Sequence, residues 1–409
     1  MLENLELNQF NEIIQDNNNN IDEIKFPNSI NCIEILNKEN KLILLLGTKN
    51  KILFYDIILK RLLNKINFIN LRNISDILVL SDNNILICDN KNKFNLIEIK
   101  INFNKIKSKI ISEFQGKGNS SNIFSLKELH NGLIISGDCN NLIFWEKTYL
   151  NDNINNKDNN LSFTDKIKNI CNNCLENLFN FLNEENNNEI LNYPLKEIFF
   201  IPLTNTYSFI EIKEKIRDNN NIILSVAQPD TESVILFDIS YINNNININN
   251  KKEIGNINSI INRKNLMTYK NGNIYVGCRD SIKVIKFIDI NNVFLIKNIS
   301  TGSISYINIY RDKFLFCAIY KNKSQYNFES TLIYFEADKS EKARGKSLIP
   351  IFEKNQPRRN GSIINIIFYY YNNEEYIISL GTDNKIVISH ENFRPIRENY
   401  MVNLMIEYE

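Results

Sequence analysis

The chain has 409 residues, and its 48 Lys and Arg balance 47 Asp and Glu for a formal net charge of +1. A charge so near zero gives no overall field that would draw the chain to nucleic acid or to an anionic membrane. No stretch approaches the ~18 uncharged apolar residues of a membrane-spanning helix, and the opening MLENLELNQF has neither the basic nor the apolar region of a secretory signal.

Residues 2–15 read as a short amphipathic helix, with Leu2, Leu5, Phe10, Ile13 and Ile14 on its apolar side. Asn17–Asn20 end that pattern, so residues 1–20 are expected to be an N-terminal extension. Next comes Ile21–Phe26, which reads as a strand. From Leu42 a hairpin unit begins that recurs along the chain. It is an apolar strand, then Gly-x-x-[Asn/Asp]-x-[Ile/Leu], then a second apolar strand. The copies carry Gly47, Asn50 and Ile52; Gly137, Asn140 and Leu142; Gly277, Asp280 and Ile282; and Gly381, Asn384 and Ile386. Gly, Asn and Asp tolerate the positive φ that a tight hairpin turn demands, and the flanking runs have the pattern of half-buried or buried strands. Three weaker copies lack the Gly and end at Ile97-Glu98, Phe237-Asp238 and Phe335-Glu336. Discounting insertions, the units recur at roughly 40–55 residues, the period of a four-stranded propeller blade.

The aromatic-acidic pairs Tyr55-Asp56, Trp145-Glu146, Phe237-Asp238 and Phe335-Glu336 resemble the Trp-Asp dipeptide of WD40 repeats. The resemblance covers about residues 25–409, without the insertions. It departs from the family in having one Trp, no Trp-Asp pair and no opening Gly-His pair, since the two histidines are His130 and His390. It implies an all-β fold, a seven-bladed β-propeller of four-stranded blades spanning residues 21–409, with a helical insertion in or after blade three. The alternative is another all-β architecture built from the same hairpins. In a propeller, either Ile21–Phe26 or Met401–Tyr408 closes the ring, and the sequence leaves both open.

The main insertion is 149–193. Its first part is a polar low-complexity run expected to be disordered. Phe163–Leu182 then has helical period, with Phe163, Ile167, Ile170, Cys171, Cys174, Leu178 and Leu182 on one side. Lys196–Pro202 is expected to be the delayed outer strand of blade three. The seven cysteines are an odd number, and Cys88, Cys139, Cys278 and Cys317 fall near the ends of second strands. They read as reduced core thiols, which places the chain in the cytoplasm or nucleus.

No catalytic set emerges. Cys171 and Cys174 supply two metal ligands where a structural zinc wants four. His130 and His390 have no paired nucleophile, and no phosphate loop or hydrolase motif occurs. The inner strands offer Glu34 and Asp76 as isolated acids. No enzyme activity, cofactor or metal is therefore expected. The reading is a non-catalytic protein-interaction scaffold, monomeric itself and a subunit or adaptor of a multi-subunit complex. The alternative is a phosphoinositide- or RNA-binding propeller. It would use the basic loop 339–360, where Arg344, Lys346, Arg358 and Arg359 are the candidate partner or anion contacts.

Overall fold

The computed structural model describes residues 13–16, 21–25, 29–38, 41–102, 105–115, 123–147, 195–203, 205–212, 220–243, 245–260, 263–300, 303–310, 314–324, 327–336, 350–355, 362–371 and 374–390. They form an all-β propeller of antiparallel sheets, six of them runs of four consecutive strands and the seventh combining strands from the two ends of the described chain.

Two N-terminal strands, β1 (Ile13–Asp16) and β2 (Ile21–Lys25), belong to the sheet that closes the ring. The first blade is β3 (Cys32–Lys38), β4 (Lys41–Gly47), β5 (Lys51–Asp56) and β6 (Arg61–Asn67). The second is β7 (Ile74–Val79), β8 (Ile85–Asp89), β9 (Lys93–Asn102) and β10 (Lys105–Gln115). The third is β11 (Ile123–Glu128), β12 (Ile134–Asp138), β13 (Asn141–Lys147) and β14 (Leu195–Pro202). The fourth is β15 (Phe209–Glu211), β16 (Asn221–Gln228), β17 (Ser233–Ile242) and β18 (Asn245–Ile254). The fifth is β19 (Met267–Lys270), β20 (Asn273–Gly277), β21 (Ser281–Phe287) and β22 (Val293–Ser300). The sixth is β23 (Ser303–Tyr310), β24 (Phe314–Ser324), β25 (Asn327–Glu336) and β26 (Pro350–Asn355). The closing sheet takes β27 (Ile363–Tyr371), β28 (Glu374–Gly381) and β29 (Lys385–His390) from the C-terminal part and adds β2 and β1 outside them.

The expected architecture of seven four-stranded blades with a helical insertion is corrected on two counts. Six blades are four-stranded, but the closing sheet has five strands, because the chain before β2 supplies another. No helix occurs among the described residues. The expected helix at Phe163–Leu182 and the whole 149–193 insertion lie outside them, apart from the outer strand β14 that follows. In the expected helix 2–15, Ile13–Asp16 is instead β1, pairing Ile13 with Ile24 and Asp16 with Ile21. Ile21 pairs in turn with Ser389 and Ile24 with Ile386, which makes β2 the strand that joins the two ends of the chain. Residues 401–408 are outside the described set.

Apolar clusters fill the spaces between neighbouring blades. One runs from Leu36, Leu45 and Phe54 in the first blade to Ile77, Ile87 and Ile99 in the second. Another joins Leu44, Leu53 and Tyr55 to Ile378 and Leu380 of the closing sheet. Each buried strand therefore carries apolar side chains on both faces, which accounts for continuous runs such as LILLL in β4.

The recurrent glycines have a different cause from the turn. Gly47, Gly137 and Gly277 do not adopt positive φ. A Cβ on Gly47 would lie 2.9 Å from Ile74, on Gly137 2.3 Å from the Thr206 carbonyl, and on Gly277 2.7 Å from Ile304. At Gly137 and Gly277 the obstacle is the start of the next blade's inner strand, and at Gly47 that strand is joined by Cys32 Sγ of the same blade, at 2.4 Å. The residue after each glycine bonds that same chain. The carbonyls of Thr48, Asp138 and Cys278 accept hydrogen bonds from the amides of Ile74, Thr206 and Ile304 at 3.2, 2.9 and 3.0 Å. The glycine is where one blade's backbone approaches the next.

The positions that resemble the WD dipeptide mark a β-bulge. The pairing of third and fourth strands shifts between Phe54 and Tyr55, Phe144 and Trp145, and Tyr334 and Phe335, and at Phe237-Asp238 just after the pair, between Asp238 and Ile239; in the fifth blade it shifts between Val284 and Ile285. A bulge increases the local twist, and it sits where the outermost strand turns toward the rim.

Candidate central-channel site

Seven inner strands, β3, β7, β11, β15, β19, β23 and β27, surround a cavity of about 740 Å³. In four of them the register shifts within the first residues of the strand, between Ile74 and Asp76, Ile123 and Ser125, Ile304 and Tyr306, and Ile363 and Asn365. The shift re-aims the following side chain, and Asp76, Ser125, Tyr306 and Asn365 all line the cavity.

Most polar groups of the wall bond the adjacent sheet. Asn365 Nδ2 donates to the Ile33 carbonyl at 3.1 Å, and the Tyr306 hydroxyl to the Ile366 carbonyl at 3.0 Å. Asp76 Oδ2 accepts from the Leu126 amide at 2.7 Å, and Ser208 Oγ from the Leu266 amide at 3.2 Å. The buried Glu211 carboxylate holds the His130 turn of the third blade through the His130 amide, at 3.2 Å, and through ring Nδ1.

The segment Arg263–Asn265, just ahead of β19, breaks that pattern. Lys264 Nζ reaches the second blade, 2.9 Å from Asp76 Oδ1 and 2.5 Å from the Ser75 carbonyl. Arg263 Nη1 donates to Ser362 Oγ at 3.1 Å and Asn265 Nδ2 to Asn365 Oδ1 at 3.4 Å, both in the closing sheet. None of these acceptors belongs to a sheet next to the fifth blade. Asn265 has φ 55°, a left-handed conformation that Asn tolerates well. Burial, the largest single influence, acts against the Lys264 charge, but the Asp76 carboxylate together with Cys32 and Cys88 outweighs it, and the Lys264 pKa is raised.

Glu34 and Asp76 prove not to be isolated acids. They share this mouth, and beyond two adjacent cations ahead of an inner strand nothing in the amino-acid pattern marks Lys264 as bridging distant blades. Glu34 is half-buried, and its Oε1 accepts from the Ile35 amide at 3.0 Å. Burial, with a smaller contribution from the Asp76 charge, pushes its pKa up from 4.5 to about 7. Tyr306, close enough to feel Glu34, is pushed up to about 12, chiefly by burial. The folded chain thus keeps the Glu34 proton at a pH where the unfolded chain has released it. Stability from this group is complete below pH 4.5 and falls as pH rises toward about 7. Glu34→Gln is expected to flatten that slope and to leave the protein more stable than the parent at neutral and alkaline pH. Thermal unfolding at about pH 5 and about pH 8 measures it.

The candidate contacts Arg344, Lys346, Arg358 and Arg359 lie outside the described residues, as do Cys171 and Cys174. Cys32, Cys88 and Cys278 are buried free thiols and Cys139 is half-buried. Burial pushes the Cys88 and Cys278 thiols up to about 12. Among the described residues no three His, Cys, Asp or Glu side chains are grouped to hold a metal ion, and no helix is long and apolar enough to cross a membrane.

The inward-facing strands, the channel and the ring closure define the class of the chain as a β-propeller. No family model matches it, and no curated protein matches it in sequence. Its fold is similar to that of the Cps50 (Swd1) β-propeller domain of Myceliophteria thermophila, with a TM-score of 0.54 and 10% identity over 91% of this chain and 100% of that one. It is also similar to Sqt1 of Saccharomyces cerevisiae, with a TM-score of 0.51 and 9% identity over 89% of this chain and 96% of that one. At such identities the likeness is one of fold.

Proposed function

We propose that the chain is a non-catalytic protein-interaction scaffold, a subunit or adaptor of a larger complex in the cytoplasm or nucleus. The observation that carries this reading is on the rim. Phe294, Leu295 and Ile296 are consecutive in β22 and are 49%, 39% and 47% exposed. Successive strand residues point to opposite faces, so this edge strand is apolar on both. An exposed run of large apolar side chains is unfavourable in water unless another surface covers it. The channel supports the same reading, because Asp76, Tyr306 and Asn365 bond other sheets.

Cross-linking mass spectrometry on the protein from its own cells, as parent and as Phe294→Ser/Ile296→Ser, tests the proposal. The parent is expected to give reproducible cross-links to a partner. The variant is expected to lose them while its melting temperature stays close to the parent's. A parent chain that cross-links to nothing would overturn it.

A second reading rests on the basic run in 339–360, where Lys339, Lys342, Arg344, Lys346, Lys354, Arg358 and Arg359 stand against Glu341 and Glu353. Here the loop would hold a phosphoinositide or RNA backbone by charge pairing. Protein cross-links from Lys342 or Lys346 would assign the loop to a protein partner instead.

A further inference from the structure

The Arg263–Asn265 segment occupies the channel mouth in the manner of a bound peptide. Its central side chain enters an acceptor site built by a blade that is not its neighbour. Of its flanking residues, Arg263 Nη1 donates to Ser362 Oγ at 3.1 Å and Asn265 Nδ2 to Asn365 Oδ1 at 3.4 Å, while the Asn265 carbonyl accepts from the Ile307 amide at 2.9 Å. The Lys264 side chain is still 26% exposed, so the position is open to the channel.

We propose that the channel mouth at Ser75, Asp76 and Glu34 is a primary-ammonium site with Lys264 as its resident occupant, displaceable by a lysine side chain of a partner. The inference rests on the scaffold reading above and gives it a contact chemistry. Two features select an ammonium over a guanidinium. The acceptors for the resident cation are one carboxylate oxygen and one backbone carbonyl, from adjacent residues, converging on a single nitrogen. That suits the point charge of an ammonium. The second Asp76 oxygen already accepts from the Leu126 amide, so the carboxylate has no free edge for a guanidinium fork. The site also requires a cation. Withdrawing Lys264 leaves the Asp76 charge uncompensated in a confined wall with Glu34 beside it, a costly arrangement. Departure of the segment and arrival of another ammonium are therefore coupled.

The test uses the full chain with Lys264→Ala and Lys264→Gln, the latter keeping a long uncharged stem. The probe is Nα-acetyl-lysine methylamide, with its Nε-acetylated form as the control, and binding is read by calorimetry. The parent is expected to bind the probe weakly. Both variants are expected to bind it roughly tenfold or more tightly, to ignore the acetylated control, and to lose the gain when Asp76→Asn is added. Folded variants that bind the amine no better than the parent would overturn the proposal. Should neither variant fold, refolding yield with and without ethylammonium decides. A gain that Asp76→Asn abolishes supports the site, and no gain overturns it. A small-amine probe keeps this outcome separate from the partner search, since either can fail alone.

Discussion

Trp145→Ala is expected to lower stability by about 3–5 kcal/mol, the range for emptying a buried tryptophan site. Trp145 is 3% exposed and lies between the second and third blades, where its ring meets Phe94 edge-on with centroids 5.0 Å apart. Cys88, Leu96 and Leu195 belong to the same cluster, so truncation opens a cavity between two blades. The indole Nε1 also donates to the buried Ser136 Oγ at 2.9 Å. Trp145→Phe retains most of the apolar area and removes only that donor, for a loss of about 1–2 kcal/mol. Urea unfolding of the two variants separates packing from hydrogen bonding. Equal losses would mean that the hydrogen bond dominates.

Removing residues 1–25 is expected to have the other large effect. It deletes β2 and leaves β29 as an open edge, losing the pairing from Ile21–Ser389 through Lys25–Lys385. At about 0.5–1.5 kcal/mol net per hydrogen bond, several such bonds amount to a few kcal/mol. The exposed β29 edge would also be a template for aggregation. Deleting residues 1–16 removes only β1, the fifth and outermost strand, and is expected to change the melting temperature little. Thermal unfolding and light scattering on both truncations check the contrast. A peptide of residues 17–28 added to the longer truncation is expected to restore part of the lost stability.

The hairpin units were legible because their causes are local. Strand patterning around Gly47, Gly137, Gly277 and Gly381 needs only neighbours in sequence, and Trp145, Tyr55 and Phe237 are buried as expected. The cause assigned to the glycines was wrong for a related reason. Turn chemistry can be read within four residues, whereas contact of Gly137 with Thr206 crosses a long insertion. Ile13–Asp16 looked helical because a four-residue strand has too few positions to establish period two, and its partner β2 decides its conformation. The channel site was least legible. Lys264 and Asp76 are far apart in the chain, and His130 meets Glu211 only because two blades adjoin. Single-sequence patterning carries no signal for pairs across a ring. The basic residues Arg344, Lys346, Arg358 and Arg359 were conspicuous by charge alone, which says where cations lie and not what they touch.

The five-stranded closing sheet has a consequence for biogenesis. β2 is made before any of the six four-stranded blades, yet its partner β29 (Lys385–His390) is made after all of them. Each blade from the first to the sixth is drawn from one continuous stretch of chain and can assemble as it is made. The closing sheet cannot, because loop closure over nearly the whole chain must precede its pairing. β2 therefore waits without its β29 partner while the six intervening blades are made, and the ring shuts only after them. An early truncation product or a stalled chain would carry an unpaired β2 together with an unsealed first blade. Chaperones that recognise exposed strand edges would meet this protein at that stage.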